Sequence, residues 1–110
     1  MALLTAKVAS RSGVDLSPVA ANAGGDEFVN NGRELLYIKN ASGSSITLTV
    51  QTPVTVDGLA VSDRQITVGA GEEKIIGPFP KGTYNDGNGH VQLSYSAVTS
   101  VTVSVIDPGS

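Results

Sequence analysis

His90 is the single histidine in this sequence of 110 residues, and it is the first side chain to test for catalytic chemistry. A hydrolytic triad needs a histidine within hydrogen-bond reach of a nucleophile and of an orienting acid. His90 follows a glycine-rich turn, and the sequence contains no Gly-x-Ser-x-Gly nucleophile motif. We therefore predict that His90 is a surface histidine at the edge of a turn.

The carboxylates are the second group that could support chemistry. A glycosidase needs two acids facing each other across a cleft, about 5 to 9.5 Å apart. Here the acids fall mostly at strand ends and turns, which predicts a solvated rim of charge and no enzyme activity. They include Asp26, Glu27, Glu34, Asp57, Asp63, Glu72, Glu73 and Asp86.

The run Asn85-Asp86-Gly87-Asn88-Gly89 resembles part of a calcium-binding loop. An EF-hand loop requires a glutamate at its twelfth position, and Ser96 stands there when counting starts at Asn85. The sequence also has no cysteine, which excludes thiolate metal sites and disulfides. We predict a hairpin loop at 85–89, no bound metal and no cofactor.

Tyr84 is the best candidate for a sugar contact, since carbohydrate-binding modules stack sugar faces on exposed aromatic rings. It stands beside the polar turn, so Tyr84, Asn85 and Asp86 form a possible glycan-binding group. Tyr37 and Tyr95 lie in apolar segments and are expected in the core.

The charge distribution argues against nucleic acid and membrane partners. The formal net charge is −3, only 15% of residues are charged, and the basic residues are scattered along the chain. No run of them matches a row of phosphates. No apolar stretch approaches the roughly 20 residues that span a bilayer, and the start does not read as a signal peptide. We therefore expect synthesis and use without export.

Alternation of apolar and polar residues predicts an all-β fold. Residues 46–50 read Ile-Thr-Leu-Thr-Val, and the segments 64–68, 91–95 and 101–105 alternate in the same way. Turn signals recur every 8–12 residues or so, which is typical of a two-sheet β-sandwich with seven to nine short strands. The pattern leaves jelly-roll and immunoglobulin-like Greek-key orders open. It also predicts a hairpin over 26–40 and a core plug at Phe79.

Three regions follow from this pattern. Residues 1–24 form an extended N-terminal arm with a partial edge strand at 14–20, because Pro18 cannot sit in a central strand. Residues 25–106 form the β-sandwich, and residues 107–110 form a flexible tail.

Several motifs in residues 24–106 together resemble a group of small proteins of tailed bacteriophages. The resemblance rests on Gly25-Asp26, Asn30-Asn31-Gly32-Arg33, Ile38-Lys39-Asn40, Ile76-Gly77-Pro78-Phe79-Pro80 and Tyr84-Asn85. It implies a structural virion protein on the capsid surface, a decoration or cement protein that docks on the major capsid protein. Such a protein needs an interface rather than a pocket.

Oligomerisation and an arm that adds a strand to a partner sheet are the expected means of docking. A homo-trimer suits positions of threefold symmetry between capsomers and protects sheet edges. The arm offers β-augmentation, with Leu3, Leu4, Lys7, Val8 and Arg11 as expected contacts. Two alternatives stay open: a tail or head–tail joining protein, and a carbohydrate-binding adhesion module.

Overall fold

The computed structural model describes residues 2–4, 6–8, 12–13, 15, 18–53, 55–60 and 62–107, with side chains at all of these except 2, 55, 56 and 60. Arg11, an expected partner contact, lies outside the described residues. The same holds for 108–110 and for part of the predicted strand at 14–20.

The described residues form twelve strands and one helical turn. In chain order they are β1 (Ala2–Leu4), β2 (Ala6–Val8), β3 (Val19–Ala20), β4 (Asp26–Val29), β5 (Leu35–Asn40), β6 (Ile46–Val50), β7 (Thr55–Val56), β8 (Leu59–Ala60), β9 (Arg64–Val68), β10 (Glu73–Ile76), α1 (Lys81–Tyr84), β11 (His90–Tyr95) and β12 (Val101–Asp107). Seven of the strands have four or more residues, and five have two or three. The excess over the predicted seven to nine consists of short segments that carry no alternation pattern.

Two sheets contain ten of these strands. Sheet one has the order β1-β4-β11-β6-β9, and sheet two has the order β10-β5-β12-β2, with β3 also paired to β12. The strands β7 and β8 form a separate small hairpin. The N-terminal strands pair in parallel, β1 with β4 and β2 with β12, whereas the other pairs are antiparallel. The predicted two-sheet β-sandwich is confirmed.

The pairing order of the sandwich is that of a jelly roll. Four antiparallel pairs are nested inside one another: β4 with β11, β5 with β10, β6 with β9, and β7 with β8. The strands β4, β5 and β6 alternate between the sheets, as do β9, β10, β11 and β12. This winding resolves the choice that the sequence leaves open between a jelly roll and an immunoglobulin-like order.

The predicted hairpin over 26–40 is wrong. Both of its strands exist, but β4 belongs to sheet one and β5 to sheet two. The turn at Asn30–Gly32 therefore carries the chain from one sheet to the other. The Asn-Gly signal is satisfied, because Gly32 has a φ of +90°.

The core lies between the sheets and follows the predicted alternation. In β6, Ile46, Leu48 and Val50 are buried while the two threonines between them point outward. Phe79 closes one end, as predicted: it is 2% exposed, and its ring centroid lies 5.8 Å from that of Phe28. Matched inward faces of this kind drive the two sheets together.

Residue 107, assigned to the flexible tail from the sequence, belongs to the sandwich instead. Asp107 is the last residue of β12 and is buried, and its carboxylate accepts from Arg33 Nε at 2.9 Å and Nη2 at 3.2 Å. Local sequence patterns do not reveal this ion pair, because the partner of Asp107 lies 74 positions earlier.

Candidate functional site

The N-terminal strands complete the outer edges of both sheets. Leu4 pairs with Phe28 in the parallel register of β1 and β4, and its side chain is 7% exposed in the core. Leu3 pairs with Glu27, faces the other way and is 58% exposed. β1 is therefore attached to its own sandwich through Leu4, while Leu3 faces outward.

Three exposed apolar residues converge beside β1, and we call them the arm surface: Leu3, Val19 and Val29. Leu3 and Val19 line one hollow of about 180 Å³, and Leu3 and Val29 line a second of about 270 Å³. Val19 is 50% exposed and Val29 is 49% exposed. The arm surface thus consists of three half-exposed apolar side chains beside hollows that polar residues such as Lys7 and Asn31 also line.

The predicted partner contacts divide into two groups. Leu3 belongs to the arm surface, and Val8 is 58% exposed on β2. Lys7 is half-buried and lines the 180 Å³ hollow. Leu4 is a core residue that also lines both hollows.

Three of the motif residues, Asn30, Phe79 and Asn85, meet at one end of the sandwich. Asn30 Nδ2 donates to the backbone oxygen of Phe79 at 2.8 Å and to Asn85 Oδ1 at 2.7 Å, and Asn85 Nδ2 donates to the backbone oxygen of Asn30 at 3.0 Å. Gly77 has a φ of +126°, and a Cβ there would lie 3.1 Å from the backbone oxygen of Glu34. These motif residues therefore hold one end of the fold together.

Asp86 stabilises the turn that precedes β11. Its Oδ1 accepts from the backbone N–H groups of Asn88 and His90, and its Oδ2 accepts from Gln92 Nε2 at 2.7 Å. The pKa of Asp86 is lowered first by the hydrogen bond from the backbone N–H of His90 and then by the one from the side chain of Gln92. Asp86 and Asn85 therefore use their polar groups within the chain, and the structure separates them in role from Tyr84.

Tyr84 lies between two open hollows. The hollow of about 440 Å³ includes Pro78 and Pro80, and that of about 420 Å³ includes Asp63 and Gln65; both are also lined by Tyr84. The ring packs edge-on against Phe79, with centroids 5.5 Å apart and an interplanar angle of 79°. Its hydroxyl accepts a hydrogen bond from Arg64 Nε at 3.1 Å.

His90 lies where the turn meets the sheet and is paired with a carboxylate. Its Nδ1 is 2.6 Å from Glu27 Oε1, with both side chains about one-fifth exposed (20% and 23%). Within the described ranges, no three His, Asp or Glu side chains converge as a metal site. In the same part of the chain, no helix has the length and apolarity of a membrane span.

Two features of these surfaces escaped the sequence predictions. Val29 follows buried Phe28 in β4, so alternation alone could have placed it on an outward face. Arg64 meets Tyr84 across 20 positions, and no local pattern indicates that contact.

Comparisons of the chain with protein-family models, with curated proteins and with solved structures find no match.

Proposed function

We propose that the chain is a capsid decoration protein of a tailed bacteriophage, which binds the major capsid protein on the outside of the shell and bridges neighbouring capsomers. The observation that carries this proposal is the arm surface. Three apolar side chains, each about half exposed, contribute to the lining of two hollows that share Leu3. Apolar surface left open in this way favours a protein partner.

Edge strands support the same proposal. β1 is the outermost strand of sheet one, and its free edge carries backbone groups that can pair with an added strand. A strand of the capsid protein placed beside β1 would gain main-chain hydrogen bonds, and Leu3 and Val29 would supply apolar contact. This reverses the sequence expectation, in which the arm itself adds to the partner.

The energetics suit a protein that acts in many copies. Covering a half-exposed valine or leucine contributes about 1 kcal/mol by area, so one arm surface provides only modest affinity. A homo-trimer would present three such surfaces to adjacent capsomers, and simultaneous engagement raises the overall affinity without new contacts. We therefore propose the trimer together with the docking mode.

The residues that resemble phage proteins belong to the framework of the fold and not to the arm surface. Three of the residues that carry the resemblance are joined at one end of the jelly roll, where Asn30 binds both Phe79 and Asn85. Jelly rolls occur in viral capsid proteins and in lectins, so the fold by itself does not select a function. The proposal depends on the arm surface.

The test is binding to capsids of the encoding phage that were produced without this protein. We expect the purified chain to bind at regular density and to raise the melting temperature of the shell. Leu3→Ser should weaken binding. Ile75→Ser should not, because Ile75, which is 62% exposed, lies on β10, at the end of sheet two away from the N-terminal strand β2.

Three outcomes would contradict the proposal. They are failure to bind bare capsids, equal loss of binding in both variants, and a copy number of about six or twelve per particle, which indicates a ring at the neck or tail. The last outcome would favour a head–tail joining protein.

A further inference from the structure

We propose that Arg64 and Tyr84 form a binding site for a carboxylate-bearing saccharide of the uronic-acid type. The two hollows beside Tyr84 share Arg64, Thr83 and Tyr84, so they form one groove, which we call the Arg64–Tyr84 groove. Nothing in the proposed capsid-binding role uses this groove.

Tyr84 supplies a fixed aromatic surface within the groove. Its edge-on packing against Phe79 orients the ring, and the hydrogen bond from Arg64 orients its hydroxyl. Pro78 and Pro80 line the same hollow and extend the apolar surface next to the ring. Such a surface suits the C–H face of a pyranose, since it presents apolar area with a polar group at the rim.

Arg64 supplies a cation with free hydrogen-bonding capacity. Its Nε is held by the Tyr84 hydroxyl, and the side chain is exposed at the start of β9. In the described part of the chain, no carboxylate lies within ion-pair distance of its guanidinium. The two terminal nitrogens can then bind a ligand carboxylate in the paired geometry that arginine favours.

The groove also contains polar groups that can bind the hydroxyl groups of a sugar. Asp63 Oδ1 accepts from the backbone N–H of Thr52 at 3.0 Å, which fixes the carboxylate beside the groove. Gln65 and Thr83 add an amide and a hydroxyl to the lining. Hydroxyl groups of a sugar can donate to the carboxylate of Asp63.

The position of the groove makes it independent of the arm surface. Arg64 is on β9 and Leu3 is on β1, which are the two edge strands of sheet one. Four strand spacings of about 4.8 Å separate these edges, or roughly 19 Å. A decoration protein that docks through the arm surface would therefore keep the Arg64–Tyr84 groove open to solvent.

The test uses the isolated chain and two matched probes, trigalacturonate and its methyl ester. In an NMR titration, we expect trigalacturonate to shift the amide signals of residues 63–65 and 83–84. The neutral ester should bind about tenfold more weakly, because it lacks the carboxylate that Arg64 recognises. Triglycine is the comparison ligand, because it carries a terminal carboxylate but no sugar ring.

Variants then assign the contact to Arg64. Arg64→Gln should abolish the preference for acid over ester, and Tyr84→Phe should reduce affinity by removing the hydroxyl that holds Nε. Lys39→Gln removes the same charge from an exposed site on β5 and should leave binding unchanged. Leu3→Ser should also bind normally, which separates this test from that of capsid docking.

The proposal is overturned if trigalacturonate shifts no signal in the groove, if acid and ester bind equally, or if Arg64→Gln retains the preference. Tighter binding of triglycine than of trigalacturonate would overturn it as well, because it would identify a peptide carboxylate as the ligand.

Discussion

Asn30 and Asn85 bind each other reciprocally across 55 positions of the chain. The amide nitrogen of Asn30 donates to Asn85 Oδ1 at 2.7 Å, and the amide nitrogen of Asn85 donates to the backbone oxygen of Asn30 at 3.0 Å. Asn30 is 2% exposed, and its nitrogen also reaches the backbone oxygen of Phe79. These hydrogen bonds join the turn that crosses between the sheets to the segment that contains Phe79.

Replacing Asn30 by aspartate should destabilise the protein by about 2–4 kcal/mol, because an amide donor to two buried acceptors is lost and an oxygen takes its place. The free energy of urea-induced unfolding measures this cost. Asn88→Asp is the control, since Asn88 is exposed in the 86–89 turn. Equal stability of the two variants would show that the Asn30 network does not hold this end of the sandwich.

Leu4 and Leu3 should respond very differently to truncation. Leu4→Ala removes a core contact next to Phe28 and should cost about 2–3 kcal/mol, somewhat less than at a fully enclosed site. Leu3→Ala should change the free energy of unfolding by no more than about 0.5 kcal/mol, because the side chain is mostly exposed. Thermal or urea unfolding of both variants checks this contrast, which fails if β1 is not attached to β4.

Asp86 should make stability depend on pH in the acid range. Its folded-state pKa lies below the ordinary value of 3.8, so the ionised form contributes stability above that value, and the contribution is lost as pH falls through the folded pKa. Asp86→Asn should therefore lower the melting temperature at pH 7. The difference from the parent chain should shrink below about pH 4. A difference that is constant from pH 7 to pH 2 would contradict this assignment.

Tyr95 should make stability depend on pH in the alkaline range. Burial, together with a hydrogen bond to Asp26 Oδ2 at 2.7 Å, raises the pKa of Tyr95 above its ordinary value of 10.0. The neutral hydroxyl stabilises the fold below that value, and the contribution is lost as pH rises above it.

Tyr95→Phe tests this role at two pH values. At neutral pH the variant should be less stable by about 1–3 kcal/mol, because Asp26 is fully buried and loses a donor. Above pH 10 the variant should lose less stability than the parent chain. A parent and a variant with parallel stability curves across pH 9–11 would show that Tyr95 does not titrate with unfolding.

The sequence predicted the faces of the strands better than their partners. Alternation in residues 46–50 and the position of Phe79 depend on local residue order, and both predictions are confirmed. The hairpin over 26–40 failed because a turn signal shows where a chain reverses, not which sheet receives the next strand. β4 pairs with β1 and with β11, and β11 is more than 60 positions away, so local patterns do not encode that pairing.

The candidate surfaces show the same limit. Exposure of Leu3 and burial of Leu4 follow from the pairing of β1 with β4, which no local pattern of the arm reveals. Tyr84, Asn85 and Asp86 are adjacent in sequence, yet their side chains point to three different sets of partners. Residue type indicated the polar chemistry of this segment, but long-range contacts decided which group faces solvent.

A cryo-EM map of the particle proposed to carry this protein tests the capsid-docking account most directly. We predict density for this jelly roll on the outer face of the shell, repeated at symmetric positions between capsomers, with Leu3 and Val29 against the major capsid protein. Density confined to the neck, the tail or the inner face would contradict the account, as would an outer-shell position in which the arm surface faces solvent.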